Sequence, residues 1–354
     1  MRAQLPDFPW DALAALNATA RSHPDGIIDL SQGTPIDPTP EFIQRAFRDA
    51  SNSPSYPVTA GTPELRAAIG SWAIERLGAS GEFDVLPLIG SKELVAWLPT
   101  LLESQKVLIP EISYPTYHVG ALIAQAQSIP VGIDATHWPS ADLAWMNSPS
   151  NPTGRVHSID EIKACIQWSR TNDSILVSDE CYLEFDHRAT SFSVLSQTGG
   201  DNSNILSVHS LSKRSSMAGY RAAFMIGDSQ LIAQIRELRK HSGMMVPLPV
   251  QRAMTVALAD EIHVGEQRAR YNARRDVMWP ALEAHGFRIE FSNSGLYLWC
   301  TRDEDGWVSV EWLAQRGILA TPGSFYGSAG ARYIRLAMTA TDSQIDAAVL
   351  RFKE

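Results

Sequence analysis

The sequence has few cysteines, no long apolar run and no basic segment. Each of these absences argues against one class of protein. Its three cysteines, Cys165, Cys181 and Cys300, lie far apart without a C-x-x-C pair, so we expect neither a disulfide framework nor a metal site. No apolar run approaches the roughly 20 residues of a membrane span, and the first residues lack the apolar core of a signal peptide. We therefore expect a cytoplasmic protein without a membrane partner.

The chain is also poor in positive charge relative to negative charge. It carries 30 basic and 39 acidic residues, a formal net charge of −9. This balance argues against a nucleic-acid partner, because the phosphate backbone is bound mainly by clustered Lys and Arg. The length of 354 residues allows one large or two medium domains, and a hydrophobic content of 44% is ordinary for a globular enzyme.

Short apolar runs alternate with amphipathic stretches between residues 85 and 240. The runs predicted as strands are 85–89, 107–109, 143–146, 175–177, 205–208 and 222–226. Helices lie between several of them, such as 158–170, opened by a capping box of Ser158 and Glu161, and 231–240, with Asp228 as N-cap. Ahead of the first of these strands, Thr62 as N-cap and Pro63 at the first helical position predict a helix over 64–77. This alternation predicts an α/β fold with a mostly parallel sheet covered on both faces.

The pattern changes after residue 243. Two long helical stretches, 250–259 and 266–284, precede a part rich in strands, at 287–291, 296–300 and 333–338. We interpret this part as a second, smaller α+β domain. The predicted large domain covers residues 36–245, and the small domain combines residues 1–35 with 246–354.

A lysine follows the apolar run 205–208 closely, in the sequence S-L-S-K. Open α/β sheets bind their ligands at such strand ends. A lysine whose pKa is lowered by burial or nearby cations can form a Schiff base with an aldehyde, which makes Lys213 a candidate. Ser210, Ser212 and Arg221 have the chemistry to bind a phosphate. Together they suggest pyridoxal 5′-phosphate (PLP), although an isolated S-x-S-K is more often an ordinary loop.

Three further strand ends carry polar residues. Gly90-Ser91-Lys92 joins a strand to a helix, where free N–H groups and the helix dipole favour an anion, although the spacing of a Walker loop is absent. Asn151 lies in an N-P-T-G loop. Asp179 ends an apolar strand, where a carboxylate is costly unless it meets a cation such as a protonated pyridine nitrogen. Each of these features alone is compatible with a plain turn.

Taken in order, N-P-T-G, D-x-x-Y, S-x-S-K and G-x-R resemble the motifs of the fold-type I, class I/II aminotransferases, over nearly the whole chain. The resemblance implies a PLP-dependent transferase fold of type I, with a mostly parallel seven-stranded sheet in the large domain and a smaller α+β domain. It also implies PLP as cofactor, amino acids and 2-oxo acids as substrates, and a homodimer with shared active sites.

The resemblance assigns roles by position. Lys213 is similar to the Schiff-base lysine, Asp179 to the partner of the pyridine nitrogen, and Tyr182, with Asn151, to the donors to the ring hydroxyl oxygen. Tyr114 resembles the aromatic residue that stacks on the ring. The residues that resemble the phosphate-binding set are Gly90, Ser91, Lys92, Ser210, Ser212 and Arg221.

The resemblance also assigns one residue to the subunit boundary and three residues to the substrate. Tyr56 resembles the tyrosine that reaches the phosphate of the neighbouring subunit. Gly33, Asn151 and Arg335 resemble the groups that bind the substrate, and a planar guanidinium such as that of Arg335 is suited to a carboxylate.

Three stretches, 90–99, 209–221 and 239–247, are most similar to the actinobacterial-type N-succinyldiaminopimelate aminotransferases. This likeness implies glutamate as amino donor and N-succinyl-2-amino-6-oxopimelate as acceptor, in lysine and diaminopimelate biosynthesis. The chain departs from that group at Ser216, where we expect asparagine, and in a short link between residues 102 and 107.

Other functions on the same fold remain open. One is an aminotransferase of different specificity, for aspartate, alanine or aromatic substrates, and another is a PLP-dependent C–S lyase. A PLP-binding regulator is a third, but such proteins carry a DNA-binding module ahead of the fold, and we see no basic helix-turn-helix segment in this sequence.

Overall fold

The computed structural model describes residues 5–186, 191–292 and 294–354. Its strands are β1 Ile28–Asp29, β2 Asp84–Ile89, β3 Lys106–Pro110, β4 Gln127–Val131, β5 Leu143–Asn147, β6 Ile175–Asp179, β7 Ile205–Ser210, β8 Ala222–Gly227, β9 Arg288–Glu290, β10 Tyr297–Thr301, β11 Ile318–Leu319, β12 Thr321–Pro322 and β13 Ile334–Ala337. Its α-helices are α1 Ala14–Arg21, α2 Glu41–Asp49, α3 Pro63–Trp72, α4 Ser91–Leu101, α5 Thr116–Ile123, α6 Ile159–Asn172, α7 Leu211–Arg214, α8 Ser229–His241, α9 Leu248–Leu258, α10 Ile262–Ala284, α11 Gly306–Ala314 and α12 Asp342–Arg351.

Seven of the described strands form one sheet, in the order β2-β8-β7-β6-β5-β3-β4. The pairs from β7 to β4 are parallel, whereas β8 runs antiparallel to both β2 and β7. Every residue of β5, β7 and β8 is buried, as expected for central strands covered on both faces. The predicted α/β architecture with a mostly parallel seven-stranded sheet is confirmed.

Helices cover both faces of this sheet. Helices α2, α3, α6 and α9 pack on one face through a core that includes Ile69, Trp72 and Met254. Helices α4, α5 and α8 pack on the other face, around Leu94 and Trp145. The two cores hold the strands rigidly, so the residues at the strand ends have fixed positions.

The predicted helix starts are confirmed by their hydrogen bonds. Ser158 and Glu161 form both halves of the capping box of α6, and the Asp228 side chain accepts hydrogen bonds from backbone N–H groups of α8. Thr62 caps α3 with a proline in its first turn. In each case a short polar side chain satisfies N–H groups that the helix itself leaves free.

A smaller sheet, of order β12-β13-β10-β9, lies in the C-terminal part. It packs with α1, α10, α11 and α12 around Leu298, Leu336 and Met278. The N-terminal strand β1 pairs in parallel with β11, far away in sequence. Across the described ranges no helix has both the length and the apolar character needed to cross a bilayer. The division of the chain into domains at residues 36 and 245 stays a prediction.

Strand β4 and the end of helix α3 are among the elements that differ from the sequence-based expectation. Strand β4 was not predicted, because Gln127–Val131 is short, partly exposed and contains Pro130, which weakens the strand pattern; it lies at the edge of the sheet, where proline is tolerated. The predicted helix 64–77 is α-helical only to Trp72 and finishes as a π-helical turn, Ala73–Leu77.

Candidate active site

The polar residues predicted at the strand ends meet in one cavity of about 320 Å³. Twelve of the predicted site residues line it: Gly33, Ser91, Lys92, Tyr114, Asn151, Asp179, Tyr182, Ser210, Ser212, Lys213, Arg221 and Arg335. The cavity lies between the large sheet, the loop that follows β1 and the small sheet. It therefore collects residues separated by more than three hundred positions in the sequence.

The strand register explains why these residues meet. Asn147 and Asp179 are register partners at the carboxyl ends of β5 and β6, and β7 ends beside them at Ser210. The antiparallel strand β8 begins at the same edge, directly after Arg221, and its neighbour β2 ends there before Gly90. The strands of the large sheet thus present polar ends at one edge.

Lys213 lies in the four-residue helix α7, which Ser210 caps by accepting a hydrogen bond from the Ser212 backbone N–H. The lysine is partly buried. Burial lowers the pKa of Lys213 to about 8, and the charges of Arg335 and Arg221 act in the same direction. A substantial fraction of the amine is therefore unprotonated near neutral pH, which nucleophilic and base chemistry requires.

Asp179 is a buried carboxylate surrounded by neutral donors. Its Oδ2 accepts from the hydroxyl of Tyr117 at 2.8 Å, and its Oδ1 accepts from the backbone N–H of Cys181 at 3.1 Å. Burial raises the pKa of Asp179, and these hydrogen bonds only partly oppose the rise. A cation facing this carboxylate would stabilise its charged form.

The N-P-T-G loop is held by Asn147, which ends β5. The Asn147 side chain donates to the backbone oxygens of Asp179 and Pro149 and accepts from the backbone N–H of Asn151. These bonds fix the loop to strand β6, so that the Asn151 amide reaches the cavity.

Arg335 enters the cavity from β13. Its Nη1 donates to Oδ1 of Asn151 at 2.8 Å and its Nη2 to the backbone oxygen of Ser31 at 2.6 Å. Its guanidinium lies close to two aromatic rings, with centroids of Tyr297 at 4.1 Å and Tyr326 at 5.0 Å. The arginine is buried, and its Nε has no hydrogen-bond partner among the described residues. It is thus a buried cation with neutral partners and a free donor.

Gly33 and Tyr182 both lie next to the hydroxyl of Tyr297. The Tyr182 hydroxyl lies 3.0 Å from the hydroxyl of Tyr297, and a Cβ added at Gly33 would overlap that same Tyr297 hydroxyl. Burial raises the pKa of Tyr182 well above its usual value and that of Tyr114, on another wall, to about 12. Both of these tyrosines therefore act as neutral hydrogen-bond groups at neutral pH.

Ser91, Ser210, Ser212 and Arg221 form the other end of the cavity. Ser210 donates to the Ser212 hydroxyl at 2.9 Å. Gly90 has a φ of 77°, and a Cβ added there would overlap Nη2 of Arg221. Glycine at this position therefore lets the guanidinium approach the start of α4.

Two predicted residues lie outside the cavity wall. Gly90 acts through its contact with Arg221. Tyr56 is 93% exposed and does not belong to the cavity formed by this single chain.

Sequence reasoning gave no role to several residues that line the cavity: Phe8, Trp10, Gln32, Thr34, Val95, Tyr117, Asn147, Cys181 and Tyr297. Asn147 could have been found in the same way as Asp179, because it too is a polar residue at the end of a buried strand. Tyr117 lies three residues after Tyr114, and its backbone N–H donates to the Tyr114 carbonyl. The remaining residues reach the site only through the tertiary fold.

Comparison with known proteins identifies the family. The family model described as aminotransferase class I and II matches residues 25–352. The chain belongs to the class I and II aminotransferases.

Two curated relatives cover almost all of this aminotransferase. A protein named probable aminotransferase Rv1178, of Mycobacterium tuberculosis, is 50% identical, with 99% of this chain and 85% of the relative aligned. A protein named 4-dedimethylamino-4-oxo-anhydrotetracycline transaminase OxyQ, of Streptomyces rimosus, is 46% identical over 98% of this chain and 99% of the relative. A solved structure named probable N-succinyldiaminopimelate aminotransferase, from Thermus thermophilus, has a TM-score of 0.89 and 24% identity over 98% and 99% of the two chains, which shows the shared fold.

The family uses PLP as its cofactor, and the cavity has the groups to hold it. Asp179 lacks a cationic partner among its hydrogen-bond donors and would gain one from a protonated pyridine nitrogen. Arg221, whose guanidinium lies against Gly90, lines the cavity together with Ser210 and Ser212, and these side chains are the donors that a phosphate needs. Lys213 lines the same cavity, and its lowered pKa suits reaction with an aldehyde.

Proposed function

We propose that this aminotransferase transfers the amino group of glutamate to N-succinyl-2-amino-6-oxopimelate, a step of lysine and diaminopimelate biosynthesis. The observation that supports amino-group transfer best is the meeting of Lys213, Asp179, Asn151 and Arg335 in one cavity. The identity of the acceptor is supported by the likeness of residues 90–99, 209–221 and 239–247 to the succinyldiaminopimelate enzymes.

Lys213 is the proposed catalytic base and acid. Its Nζ takes the proton from the α-carbon of the amino donor and later returns a proton to the acceptor carbon. The lowered pKa, about 8, suits both tasks, because the amine is easily freed of its proton and easily protonated again. When bound, PLP supplies the electron sink that stabilises negative charge at the substrate α-carbon.

Asp179 and Tyr182 are the proposed residues that tune the cofactor. With PLP bound, Asp179 would stabilise a positive ring nitrogen, while Tyr117 holds the carboxylate in place. Tyr182 and Asn151 would donate to the ring hydroxyl oxygen, and Tyr114 would provide an aromatic wall. The groups proposed to bind the phosphate, through hydroxyl, guanidinium and backbone N–H donors, are Ser91, Ser210, Ser212, Arg221 and the start of α4 at Gly90 and Lys92.

Arg335 is the proposed partner of the carboxylate next to the reacting carbon. Its bonds to Asn151 and Ser31 fix the guanidinium plane, and the missing side chain at Gly33 lets the Tyr297 hydroxyl lie close to the backbone there. A fixed, planar, buried cation binds a carboxylate with defined orientation, which places the α-carbon for proton transfer.

We further propose that the active unit is a homodimer in which Tyr56 reaches the phosphate site of the partner subunit. Its exposure in the single chain is compatible with a task across a subunit boundary. Mixing an inactive Lys213→Ala subunit with an inactive Tyr56→Ala subunit should restore part of the activity, because one hybrid site receives both intact residues. Hybrid dimers that form without any recovery would contradict a shared site.

A second acceptor is favoured by one relative. OxyQ, 46% identical over almost the whole chain, is named as a 4-dedimethylamino-4-oxo-anhydrotetracycline transaminase, and that name describes a bulky oxo compound. A chamber with aromatic and apolar walls adjoins the cavity, which is compatible with a bulky ring ketone. The alternatives with shorter acceptors, for aspartate, alanine or aromatic products, lack a comparable observation.

An acceptor panel tests the proposal. With glutamate as donor, we expect kcat/KM for N-succinyl-2-amino-6-oxopimelate to exceed the values for oxaloacetate, pyruvate, phenylpyruvate and a polycyclic ring ketone. A site with buried donors discriminates by up to about 10⁴ against acceptors that leave those donors unpaired. If any competing acceptor matches the long one, the proposed acceptor is wrong. Transient formation of the aminated cofactor with glutamate separates transamination from C–S lyase chemistry.

A further inference from the structure

Helix α7, which carries Lys213, is only four residues long. A helix of this length is a single turn, and its own hydrogen bonds do not hold it in place. Contacts with the rest of the chain must therefore fix α7 and, with it, the lysine. Neighbouring side chains on a helix do not share a face, so Lys213 lines the cofactor cavity while Arg214 and Ser215 are buried outside it.

Arg214 joins α7 to the segment that carries Tyr182. Its Nη1 lies 2.9 Å from Oε2 of Glu184, and both side chains are withdrawn from solvent, with 4% and 13% of their surface exposed. Glu184 lies two residues after Tyr182, in the short 3₁₀ turn Leu183–Phe185. The ion pair therefore links two segments that both reach the cofactor cavity, one through Lys213 and the other through Tyr182.

Two residues at the end of α7 also attach it to the start of α10 and the end of α9. Nη2 of Arg214 donates to Oε1 of Glu261 at 3.3 Å and to the backbone oxygen of Ala257 at 3.4 Å. The Ser215 hydroxyl lies 2.9 Å from Nε2 of His263, in the first turn of α10. Helix α7 is thus held from two directions, and Arg214 takes part in both attachments.

The geometry of a guanidinium makes these contacts directional. A planar cation that pairs with two carboxylates is held in a defined orientation, so the positions of Glu184 and Glu261 determine where α7 lies. A buried arginine that loses a carboxylate partner is costly, which opposes any movement of α7 that would separate Arg214 from Glu184. Movement of α7 would therefore either break this pair or displace the segment of Tyr182 with it.

We propose that Arg214 is a positioning residue, whose ion pair with Glu184 holds the Lys213 amine and the Tyr182 hydroxyl in a fixed relation to each other. This inference rests on the proposed function for the roles of Lys213 and Tyr182, but it does not depend on the identity of the acceptor. Without the ion pair, α7 and the segment of Tyr182 would move independently, and water would reach the amine of Lys213.

The reactivity of Lys213 toward acetic anhydride tests this proposal without any substrate. Burial is the largest cause of the lowered pKa of Lys213, so that pKa should rise when α7 is no longer held. A rise of about one unit would lower the rate of Lys213 acetylation at pH 7 about tenfold. We expect this loss in both Arg214→Met and Glu184→Gln, measured by mass spectrometry on the full-length, cofactor-free protein.

The holoenzyme gives a second readout. The pH midpoint of its visible absorbance change should shift in the same two variants, because the absorbance reports the surroundings of the cofactor at Lys213. Turnover should fall while KM for 2-oxo acids stays nearly unchanged, since Arg335 is not altered.

The two variants separate positioning from a direct effect of charge. Arg214→Met removes a positive charge, whereas Glu184→Gln removes a negative one. If only these charges acted on Lys213, the two substitutions would shift its pKa in opposite directions. Loss of the ion pair raises the pKa in both variants. Opposite shifts would therefore overturn the proposal.

Arg274 provides a matched control. It is as deeply buried as Arg214, pairs with two carboxylates, Asp37 and Asp342, and also lies near an aromatic ring, but it does not line the cofactor cavity. Arg274→Met, and Asp37→Asn as the control for Glu184→Gln, should lower the unfolding temperature. Both should leave the acetylation of Lys213 and the absorbance midpoint as in the wild type.

These controls make a purely structural role of Arg214 visible. Equal changes in test and control variants, or wild-type acetylation in Glu184→Gln, would refute positioning. If Arg214→Met does not fold, the comparison of Glu184→Gln with Asp37→Asn is sufficient. Failure of the long acceptor in the acceptor panel refutes the proposed substrate and leaves these acetylation rates unaffected.

Discussion

Asp179 and Asp37 are both carboxylates withdrawn from solvent, yet their partners differ. Asp179 accepts hydrogen bonds from a tyrosine hydroxyl and a backbone N–H, and burial raises its pKa. Asp37 is bound through both oxygens by Arg274, at 2.6 and 2.9 Å. Burial alone would raise the pKa of Asp37, but the hydrogen bonds and charge of Arg274 outweigh it and lower the pKa.

The buried arginines show the same contrast. Arg239 pairs with both carboxylate oxygens of Glu93, at 2.7 and 2.9 Å. Arg335, also buried, donates to neutral acceptors on Asn151 and Ser31. Charges in the scaffold are thus compensated within the chain, whereas charges in the cavity are left for a ligand to compensate. Removing a cavity charge should therefore change function, and removing a scaffold charge should change stability.

The largest effect is expected for Lys213→Ala. Loss of the base that moves the α-proton should lower turnover by about 10⁴-fold, within the range that general acid–base groups contribute. Treatment of the wild-type holoenzyme with borohydride should fix the cofactor onto the peptide that contains Lys213, as read by mass spectrometry. Labelling of a different lysine would refute this assignment.

Asp179→Asn and Asp37→Asn sharpen the comparison directly. Asp179→Asn should retain the cofactor but lower turnover by about 10³-fold, because an amide does not stabilise a positive ring nitrogen as a carboxylate does. Asp37→Asn leaves Arg274 without its main partner and should cost about 2 to 4 kcal/mol of unfolding free energy. Asp179→Asn should therefore lower turnover more than Asp37→Asn does, and Asp37→Asn should lower the thermal unfolding temperature more than Asp179→Asn does. Activity assays and thermal unfolding of both variants check this. Near-normal turnover of Asp179→Asn would mean that this aspartate is structural.

The pH dependence of Lys213 tests the cavity's effect on one amine. Because burial and neighbouring arginines lower its pKa from 10.5 to about 8, the free amine forms as the pH rises through 8. Near pH 7 its fraction should be roughly 300-fold above that of an ordinary lysine. Acetylation of Lys213 in cofactor-free protein, followed by mass spectrometry, should level off above this pH. The same peptide in denatured protein is the control, and identical profiles in the two states would contradict the lowered pKa.

Arg335→Lys compares the two buried arginines. A lysine keeps the charge but loses the planar fork, so KM for all 2-oxo acids should rise by about 10- to 100-fold with little change in Tm. Arg239→Lys, in the scaffold, should lower Tm and leave KM nearly unchanged. Equal changes in Tm for the two variants would show that Arg335 also has a mainly structural task.

The smallest effect is expected for Tyr117→Phe. This change removes the hydroxyl that donates to Asp179 and keeps the stacking of the ring on Trp145. A lost hydrogen bond to a charged group is worth about 1.5 kcal/mol, which corresponds to roughly tenfold in kcat/KM. Tyr114→Phe, which removes a hydroxyl from the neighbouring ring, 6.0 Å from that of Tyr117, is the matched control. An unchanged kcat/KM in Tyr117→Phe would mean that Asp179 is held by its other contacts.

The large sheet and one side of the cavity could be predicted from local sequence. Buried strands have continuous apolar runs, and polar residues that closely follow them lie near a sheet edge, so Asp179, Lys213 and Asn151 were candidates from local sequence. Their roles came from the resemblance, because each motif alone is also compatible with a plain turn. Ser158 and Asp228 indicated the starts of their helices because the N–H groups there need a nearby acceptor. Strand β4 was missed, because an edge strand with Pro130 lacks the apolar run of its buried neighbours.

The other side of the cavity was decided by tertiary structure. Arg335 was recognised only through a resemblance, and its partners, Ser31 and Asn151, lie 304 and 184 residues away in the sequence. Nothing in the residues around Phe8 or Trp10 indicates a cavity wall, and Tyr117 meets Asp179 only because α5 packs on the face of the large sheet. Local sequence determines where a strand ends and which polar residue comes directly after it, because both depend on neighbouring residues. Which distant charge faces which neutral partner depends on packing between elements, and only the folded chain decides it.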